Sequence, residues 1–129
     1  MLFVTTVNCM DGRVQLPVIN YLCERYDVPY VDSVTEAAPV RVMAEEGESA
    51  EKASILRRVG ISVNRHGSKI IAVVAHGDCA GNPEDDATQH EQLETSVALI
   101  AENFPGTTVL GLWVDAEWSV SERPRTGGQ

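Results

Sequence analysis

Short apolar runs alternate along the chain with longer stretches in which apolar residues recur every three or four positions. The runs have the length of strands, and the spacing in the stretches is typical of helices that bury one side. This alternation predicts an α/β fold, with a mostly parallel central sheet of four to five strands and helices on both faces. The predicted strands are 2–7, 28–34, 70–75 and 108–114, and the predicted helices are 16–26, 49–64 and 88–104.

The length of the chain fits a single domain. Its 129 residues are enough to bury a substantial core without help from a disulfide or a metal. We therefore expect one domain over residues 1–129, with a tail from about residue 124 that frays because it contains two glycines.

The charge and the cysteines exclude several classes of function. Acidic residues outnumber basic ones by 19 to 10, which disfavours nucleic acid and anionic membranes as partners. No Cys-x-x-Cys pair and no glycine-rich phosphate turn is present, which argues against thiol redox chemistry and nucleotide binding. The three cysteines lack the spacing of a disulfide framework, which predicts reduced thiols and a cytoplasmic protein. The sequence shows no signal-peptide pattern and no membrane-helix pattern, so we expect no membrane contact.

Three possible metal ligands follow predicted strands. Cys9 comes after the first strand, and His76 and Cys79 come after the third. Because parallel strands end at one edge of a sheet, these side chains can converge there if the strands are neighbours. Two thiolates and an imidazole form a ligand set of catalytic zinc sites that keep a fourth position open. The alternative is two buried thiols and an ordinary loop histidine.

The remaining cysteine and other reactive side chains have simpler interpretations. Cys23 falls on the predicted apolar side of the first helix with Leu16, Ile19 and Tyr26, so we expect it to pack in the core.

His66 is predicted to be a polar residue at a helix end, and His90 a solvated residue at a helix start that could alternatively shuttle protons. Residues 84–86 are expected to be a solvated acidic loop, with a position at the mouth of the site as the alternative. Trp113 and Trp118 are expected in the core or at an interface.

Five residues resemble the two signature motifs of the β-class carbonic anhydrases. Cys9-x-Asp11-x-Arg13 and His76-x-x-Cys79 match in residue type, in spacing and in position after a strand. The resemblance implies that Cys9, His76 and Cys79 bind zinc. It also implies that Asp11 and Arg13 form a pair that controls the fourth zinc position, with Asp11 able to ligate zinc in a closed state. An ordinary surface ion pair between Asp11 and Arg13 is the alternative.

The resemblance runs from the first strand to about residue 81 and continues more loosely through the last helix and strand. Three features depart from the family pattern: Gly12 stands in place of the usual serine, Ala80 in place of a glycine, and residues 32–40 in place of an Arg-Asn-Ala-Gly segment. The N-terminal helical arm of typical members is also absent from the sequence.

The resemblance implies a zinc lyase of the carbonate dehydratase type. In that reaction a zinc hydroxide attacks carbon dioxide and gives bicarbonate and a proton. The departures leave two alternatives: a closed zinc module with a structural, sensing or partner-binding role, or a hydrolase of carbonyl sulfide or carbon disulfide. A homodimer is expected because the apolar last strand lies near Trp113 and Trp118.

Overall fold

The computed structural model describes the backbone of residues 1–126 and the side chains of residues 1–123. This part of the chain contains five strands and four α-helices, and a short 3₁₀ turn, Gly12–Val14, follows the first strand. The strands are β1 (Phe3–Cys9), β2 (Tyr30–Glu36), β3 (Ile70–His76), β4 (Thr108–Val114) and β5 (Val120–Thr126). The helices are α1 (Gln15–Tyr26), α2 (Pro39–Ala44), α3 (Ala50–Arg65) and α4 (Asp86–Asn103).

The strands form one sheet in the order β2-β1-β3-β4-β5. The first four are parallel, and β5 pairs with β4 in the antiparallel direction. The predicted α/β class with a mostly parallel sheet is therefore confirmed. Because β2 lies on one side of β1 and β3 on the other, the winding of the sheet changes direction between β1 and β3. A crevice outside the carboxyl ends of the strands at such a point is where ligands bind in open α/β sheets.

Both faces of the sheet are buried. Along β3, Ile71 and Val73 belong to a core cluster with α2, α3 and α4, whereas Ala72 and Val74 belong to a second cluster with α1. Successive side chains of a strand point to opposite faces, so a strand covered on both sides must be apolar throughout. This requirement explains why the apolar run of β3 was the clearest strand signal in the sequence.

Two elements were not predicted from the sequence. Helix α2 has only six residues, too few for an apolar repeat to show. Strand β5 has the sequence VSERPRT, whose charged residues resemble a loop. The tail expected to fray from residue 124 continues β5 through Thr126, which pairs with Val109, and residues 127–129 lie outside the described part.

The buried side of α1 differs from the predicted one. Leu16, predicted to face the core, is 69% exposed, while Val18 and Leu22 are fully buried. The predicted set with Leu16 and the observed set with Val18 and Leu22 both have helical spacing. The set that packs against the sheet is the one that continues from the buried Val14 of the 3₁₀ turn. Cys23 is consequently half-buried and lies outside both core clusters, so its predicted place in the core was wrong.

Among the described residues, none of the helices has the length and apolar content that crossing a membrane requires.

Candidate metal centre

Cys9, His76 and Cys79 converge at the carboxyl edge of the sheet. Cys9 is the last residue of β1, His76 is the last residue of β3, and Cys79 lies in the loop that follows. Their ligand atoms all lie within 4.8 Å of one another, and all three residues are buried. Since β1 and β3 are neighbours, the site lies at the point where the winding of the sheet changes direction.

The distance between the two sulfurs fits a tetrahedral zinc. The Sγ atoms of Cys9 and Cys79 are 3.8 Å apart. Two thiolates that each lie about 2.3 Å from a tetrahedral zinc are separated by about 3.8 Å. Both cysteines are free thiols, so the short distance is not that of a disulfide.

The imidazole of His76 is oriented for a metal. Its Nδ1 donates a hydrogen bond to the carbonyl of Gly77 at 2.7 Å, which places the proton on Nδ1 and leaves Nε2 with a lone pair. Nε2 is buried and has no hydrogen-bond partner. A buried nitrogen without a partner is costly, and metal-bound histidines commonly donate their other ring N–H to a carbonyl in this way. The donor set therefore fits a zinc ion.

The two thiols have different acidities. Burial raises the pKa of Cys9, but the His76 imidazole and neighbouring backbone amides lower it more, to about 7. Burial and the negative charge of Cys9 raise the pKa of Cys79. One thiolate is thus available near neutral pH, and a second one beside it requires a cation between the sulfurs.

The turn after β1 fixes the direction of Cys9. The N–H of Met10 donates to the carbonyl of Glu36 at 3.0 Å, which extends the pairing of β1 with β2 past Cys9. Asp11 then caps the 3₁₀ turn, its Oδ1 accepting the N–H of Arg13 at 2.9 Å. In the Cys-x-Asp-x-Arg motif, Cys9 thus ends the strand, Asp11 caps the following turn, and Arg13 lies within that turn.

The loop after β3 holds Cys79 against the Ala37–Ala38 segment. The N–H of Asn82 donates to the carbonyl of Cys79 at 3.0 Å. A Cβ at Gly81 would lie 3.3 Å from the Cβ of Ala38, so this close approach favours glycine. The family pattern has a glycine at the position of Ala80. In this chain Gly81, one residue later, is the glycine that allows the close packing against Ala38.

Asp11 and Arg13 form a bidentate pair beside the cluster. Nη2 of Arg13 donates to Oδ2 of Asp11 at 2.6 Å, and Nε donates to Oδ1 at 3.0 Å. These bonds lower the pKa of the Asp11 carboxyl to about 2, so it is ionised at any physiological pH. The carboxylate is not a member of the group formed by Cys9, His76 and Cys79, and it faces Arg13 instead.

A small apolar cavity adjoins this pair. It has a volume of about 260 Å³ and is lined by Cys9, Met10, Asp11, Ala37, Ala80 and Gly81. Apart from the carboxylate and the thiol, these side chains offer only alkyl groups, a thioether and glycine backbone. The cavity therefore suits a small neutral molecule.

The other candidate histidines lie away from the cluster. His66 ends α3 as predicted and bonds Asp32 at 2.7 Å, while its ring stacks on Phe3 at the opposite end of β1 from Cys9. His90 packs against the edge of Trp113 and accepts a hydrogen bond from Arg123 at 3.1 Å. Burial and the charge of Arg123 lower the pKa of His90, so it is a half-buried neutral group and not a solvated one.

The acidic loop and the tryptophans have distinct positions. Residues 84–86 are exposed as predicted, and Asp85 caps α4 by accepting the N–H of Thr88. Trp113 is buried in the core. Trp118 is 37% exposed and lies over the guanidinium of Arg13, 4.9 Å from Cζ to the ring centroid, a contact that no sequence signal indicated.

Comparison with known proteins identifies the family. Residues 1–123 match the protein family described as "Putative carbonic anhydrase". The chain belongs to this family. The comparison with curated proteins found no match.

The fold is that of the β-carbonic anhydrases. The chain is similar to isoform I of the beta-carbonic anhydrase of Trichomonas vaginalis, with 17% identity and a TM-score of 0.63 over 92% of this chain and 80% of that one. It is also similar to the beta-carbonic anhydrase CcaA, with 10% identity and a TM-score of 0.60 over 96% and 81% of the two chains. A tetrameric beta-carbonic anhydrase of Sordaria macrospora gives 12% identity and a TM-score of 0.57 over 92% and 79%.

Proposed function

We propose that this protein is a zinc-dependent carbonic anhydrase that interconverts carbon dioxide and bicarbonate. The observation that carries the proposal is the buried cluster of Cys9, His76 and Cys79. Its sulfurs are 3.8 Å apart, and it contains an Nε2 without a partner. Membership of the carbonic anhydrase family supports the choice of reaction.

In this proposal Cys9, His76 and Cys79 hold the zinc, and the Nδ1–H···O=C bond to Gly77 keeps the imidazole in the ligating tautomer. Zinc supplies a Lewis acid that lowers the pKa of water enough to provide a hydroxide nucleophile near neutral pH. Two thiolates cancel the charge of the ion, which weakens this effect.

Asp11 orients the nucleophile and does not act as its base. With a pKa of about 2, the carboxylate stays ionised and can accept a hydrogen bond from the attacking water, but it is too weak a base to take its proton near neutral pH. Arg13 occupies both carboxylate oxygens from one side, which keeps Asp11 away from the metal position. The pair would thereby leave a zinc held by Cys9, His76 and Cys79 open to water.

The cavity beside Asp11 is the proposed binding place of carbon dioxide. Apart from Asp11 and Cys9, its lining offers no hydrogen-bonding side chain, and the negative charge of the Asp11 carboxylate disfavours an anion there. A small linear molecule without a dipole gains little from polar groups and fits such a lining. Bicarbonate, once formed, is hydrated better by solvent than by these alkyl groups, which favours its release.

We further propose a cytoplasmic homodimer. Met10 is 65% exposed and lines the cavity beside the site, and Leu16 is 69% exposed in the first turn of α1; a second copy would cover such apolar side chains. This support replaces the predicted role of Trp113, which is buried within its own chain. Free thiol ligands persist in a reducing compartment, which favours the cytoplasm. Sedimentation at micromolar concentration would show the dimer, and a monomer throughout would reject it.

Two measurements test the proposed function. Metal analysis should find about one zinc per chain in the parent and in Cys23→Ser, whose cysteine lies outside the cluster, and almost none in Cys9→Ser. Exchange of ¹⁸O between carbon dioxide and water should follow the zinc content of these three proteins. Full zinc retention by Cys9→Ser would reject the ligand assignment. A fully loaded parent without exchange would reject the reaction.

A further inference from the structure

The guanidinium of Arg13 is held on three sides. Besides the two bonds to Asp11, its Nη1 donates to Oδ2 of Asp78 at 3.3 Å and its Nη2 donates to the Asp78 carbonyl at 3.2 Å. The ring of Trp118 covers it at 4.9 Å from Cζ to the centroid. The Arg13 side chain is 47% exposed, so the turn alone does not confine its flexible stem.

Both of these additional partners have an unusual backbone. Trp118 has φ +62°, in the left-handed region that bulky residues rarely adopt, and Asp78 has φ +53° in the same region, which aspartate enters more readily. Such conformations are costly, and they concentrate where a function requires the direction they give. Here two separate loops adopt the same rare conformation, and each directs a group onto the same guanidinium.

The β4–β5 turn is built to keep Trp118 in this conformation. The N–H of Trp118 donates to the carbonyl of Asp115 at 3.0 Å, and the N–H of Asp115 donates to the carbonyl of Ser119 at 3.0 Å. Oδ1 of Asp115 also accepts the N–H groups of Glu117 and Ser119, each at 2.9 Å. The ring is therefore placed by a fixed turn and not by a mobile loop.

Arg13 has an alternative place to go. Arg13 itself lines a cavity of about 310 Å³, whose other lining residues include Asp86, Asp115, Trp113 and Trp118. The two carboxylates there attract a guanidinium in competition with Asp11. Arg13 and Trp118 both line this space, so removal of the ring enlarges the room into which the guanidinium can turn toward the competing acids.

We propose that Trp118, supported by Asp78, is a positioning residue that holds Arg13 in its bidentate contact with Asp11. The consequence for the metal rests on the proposed function: a firmly held Arg13 keeps Asp11 off the fourth zinc position, and a loosened Arg13 lets Asp11 compete for it. The placement of Arg13 itself does not depend on a metal.

The first test uses the metal-free protein. Hydrogen exchange of the Arg13 Nε–H is measured by NMR in the parent, Trp118→Gly and Trp118→Phe. Glycine accepts the positive φ, so Trp118→Gly removes the ring while keeping the turn. Exchange should accelerate about two- to fivefold in Trp118→Gly, the factor that corresponds to loss of an exposed cation–π contact. Trp118→Phe should restore most of the protection.

A matched control lies one residue earlier in the same turn. Glu117 is exposed, so Glu117→Gln changes a side chain of the same turn while leaving the ring in place, and it should leave the exchange of Arg13 at the parent rate. Equal exchange in the parent and Trp118→Gly would overturn the proposal. Acceleration of the same size in Glu117→Gln would also overturn it, because the turn as a whole and not the ring would then be responsible.

The second test follows the consequence at the metal. Azide affinity of the cobalt-loaded protein is measured by its absorption spectrum in four proteins: the parent, Trp118→Gly, Asp11→Ala and the double variant. Trp118→Gly should weaken azide binding in the parent background and have no effect in the Asp11→Ala background, since Asp11 is then absent as a competitor. An equal effect in both backgrounds, or none in either, would overturn the link through Asp11. Failure of the parent to load metal would contradict the proposed function and leave the exchange result to decide the placement of Arg13.

Discussion

Removal of the metal should lower the stability of this protein by an amount that the structure bounds. Without zinc, Nε2 of His76 is a buried nitrogen that makes no regular hydrogen bond and interacts only with the Cys9 thiol, whose pKa it lowers. Such a group costs about 1–3 kcal/mol. Mass action gives a similar figure, because a ligand at a hundredfold excess over its dissociation constant stabilises the folded state by about 2.7 kcal/mol. For a domain of this size each kcal/mol moves the melting temperature by about 3–5 °C, so the expected loss is about 3–15 °C.

The hydrophobic core should be sufficient for the metal-free protein to fold. Two apolar clusters cover both faces of the sheet, and most of their members lie away from the three ligands. Stripping the metal should therefore lower the melting temperature without abolishing the cooperative transition.

Calorimetry with and without a strong chelator measures this difference. Cys9→Ser provides the internal control, since it lacks a ligand and should melt at the same temperature in both conditions. A parent that loses its zinc to the chelator and yet melts at an unchanged temperature would refute the reasoning about His76. A metal-free parent without any cooperative transition would refute the reasoning about the core.

Three further predictions concern separate parts of the molecule. Gly111→Ala should destabilise the fold by about 1–3 kcal/mol in urea titrations, because its Cβ would lie 3.1 Å from Cγ of Leu93; an unchanged midpoint would contradict this. Arg13→Ala should keep its zinc by metal analysis but lose most hydration activity, since nothing then withdraws Asp11 from the metal; activity within twofold of the parent would contradict it. His90 has a pKa lowered by burial and a neighbouring arginine, so the folded state binds its proton less well than the unfolded state does. The contribution of His90 to the free energy of unfolding is therefore present above the ordinary histidine pKa of about 6.5 and lost as the pH falls. His90→Gln should make the free energy of unfolding less dependent on pH between about pH 7 and pH 5. The same pH dependence in the parent and the variant would contradict this role of His90.

The sequence predicted those elements whose burial leaves a clear pattern. β3 is apolar on both faces and was found within one residue of its observed end, His76. β5 is charged and α2 has six residues, so neither leaves such a pattern. On α1 two sets of residues share the helical spacing, so the sequence alone does not show which set is buried. The contact with the sheet buries Val18 and Leu22.

The candidate site divides in the same way. Cys9, His76 and Cys79 follow strands whose carboxyl ends share an edge, so topology and residue type together were enough to expect them near one another. Trp118 lies over Arg13 only because the turn at Asp115 places it there, a contact between residues more than a hundred positions apart. Neither periodicity nor residue spacing carries information on such a contact.

The proposed reaction is tested by the pH dependence of carbon dioxide hydration, measured by stopped flow on the parent and Cys23→Ser at full zinc content and on Cys9→Ser at the same protein concentration. The account predicts that turnover by the parent rises from about pH 7 to about pH 9, as the water at the metal is titrated. It also predicts that Cys23→Ser follows the same profile and that Cys9→Ser shows none. A fully loaded parent that hydrates no carbon dioxide anywhere in this range would contradict the account.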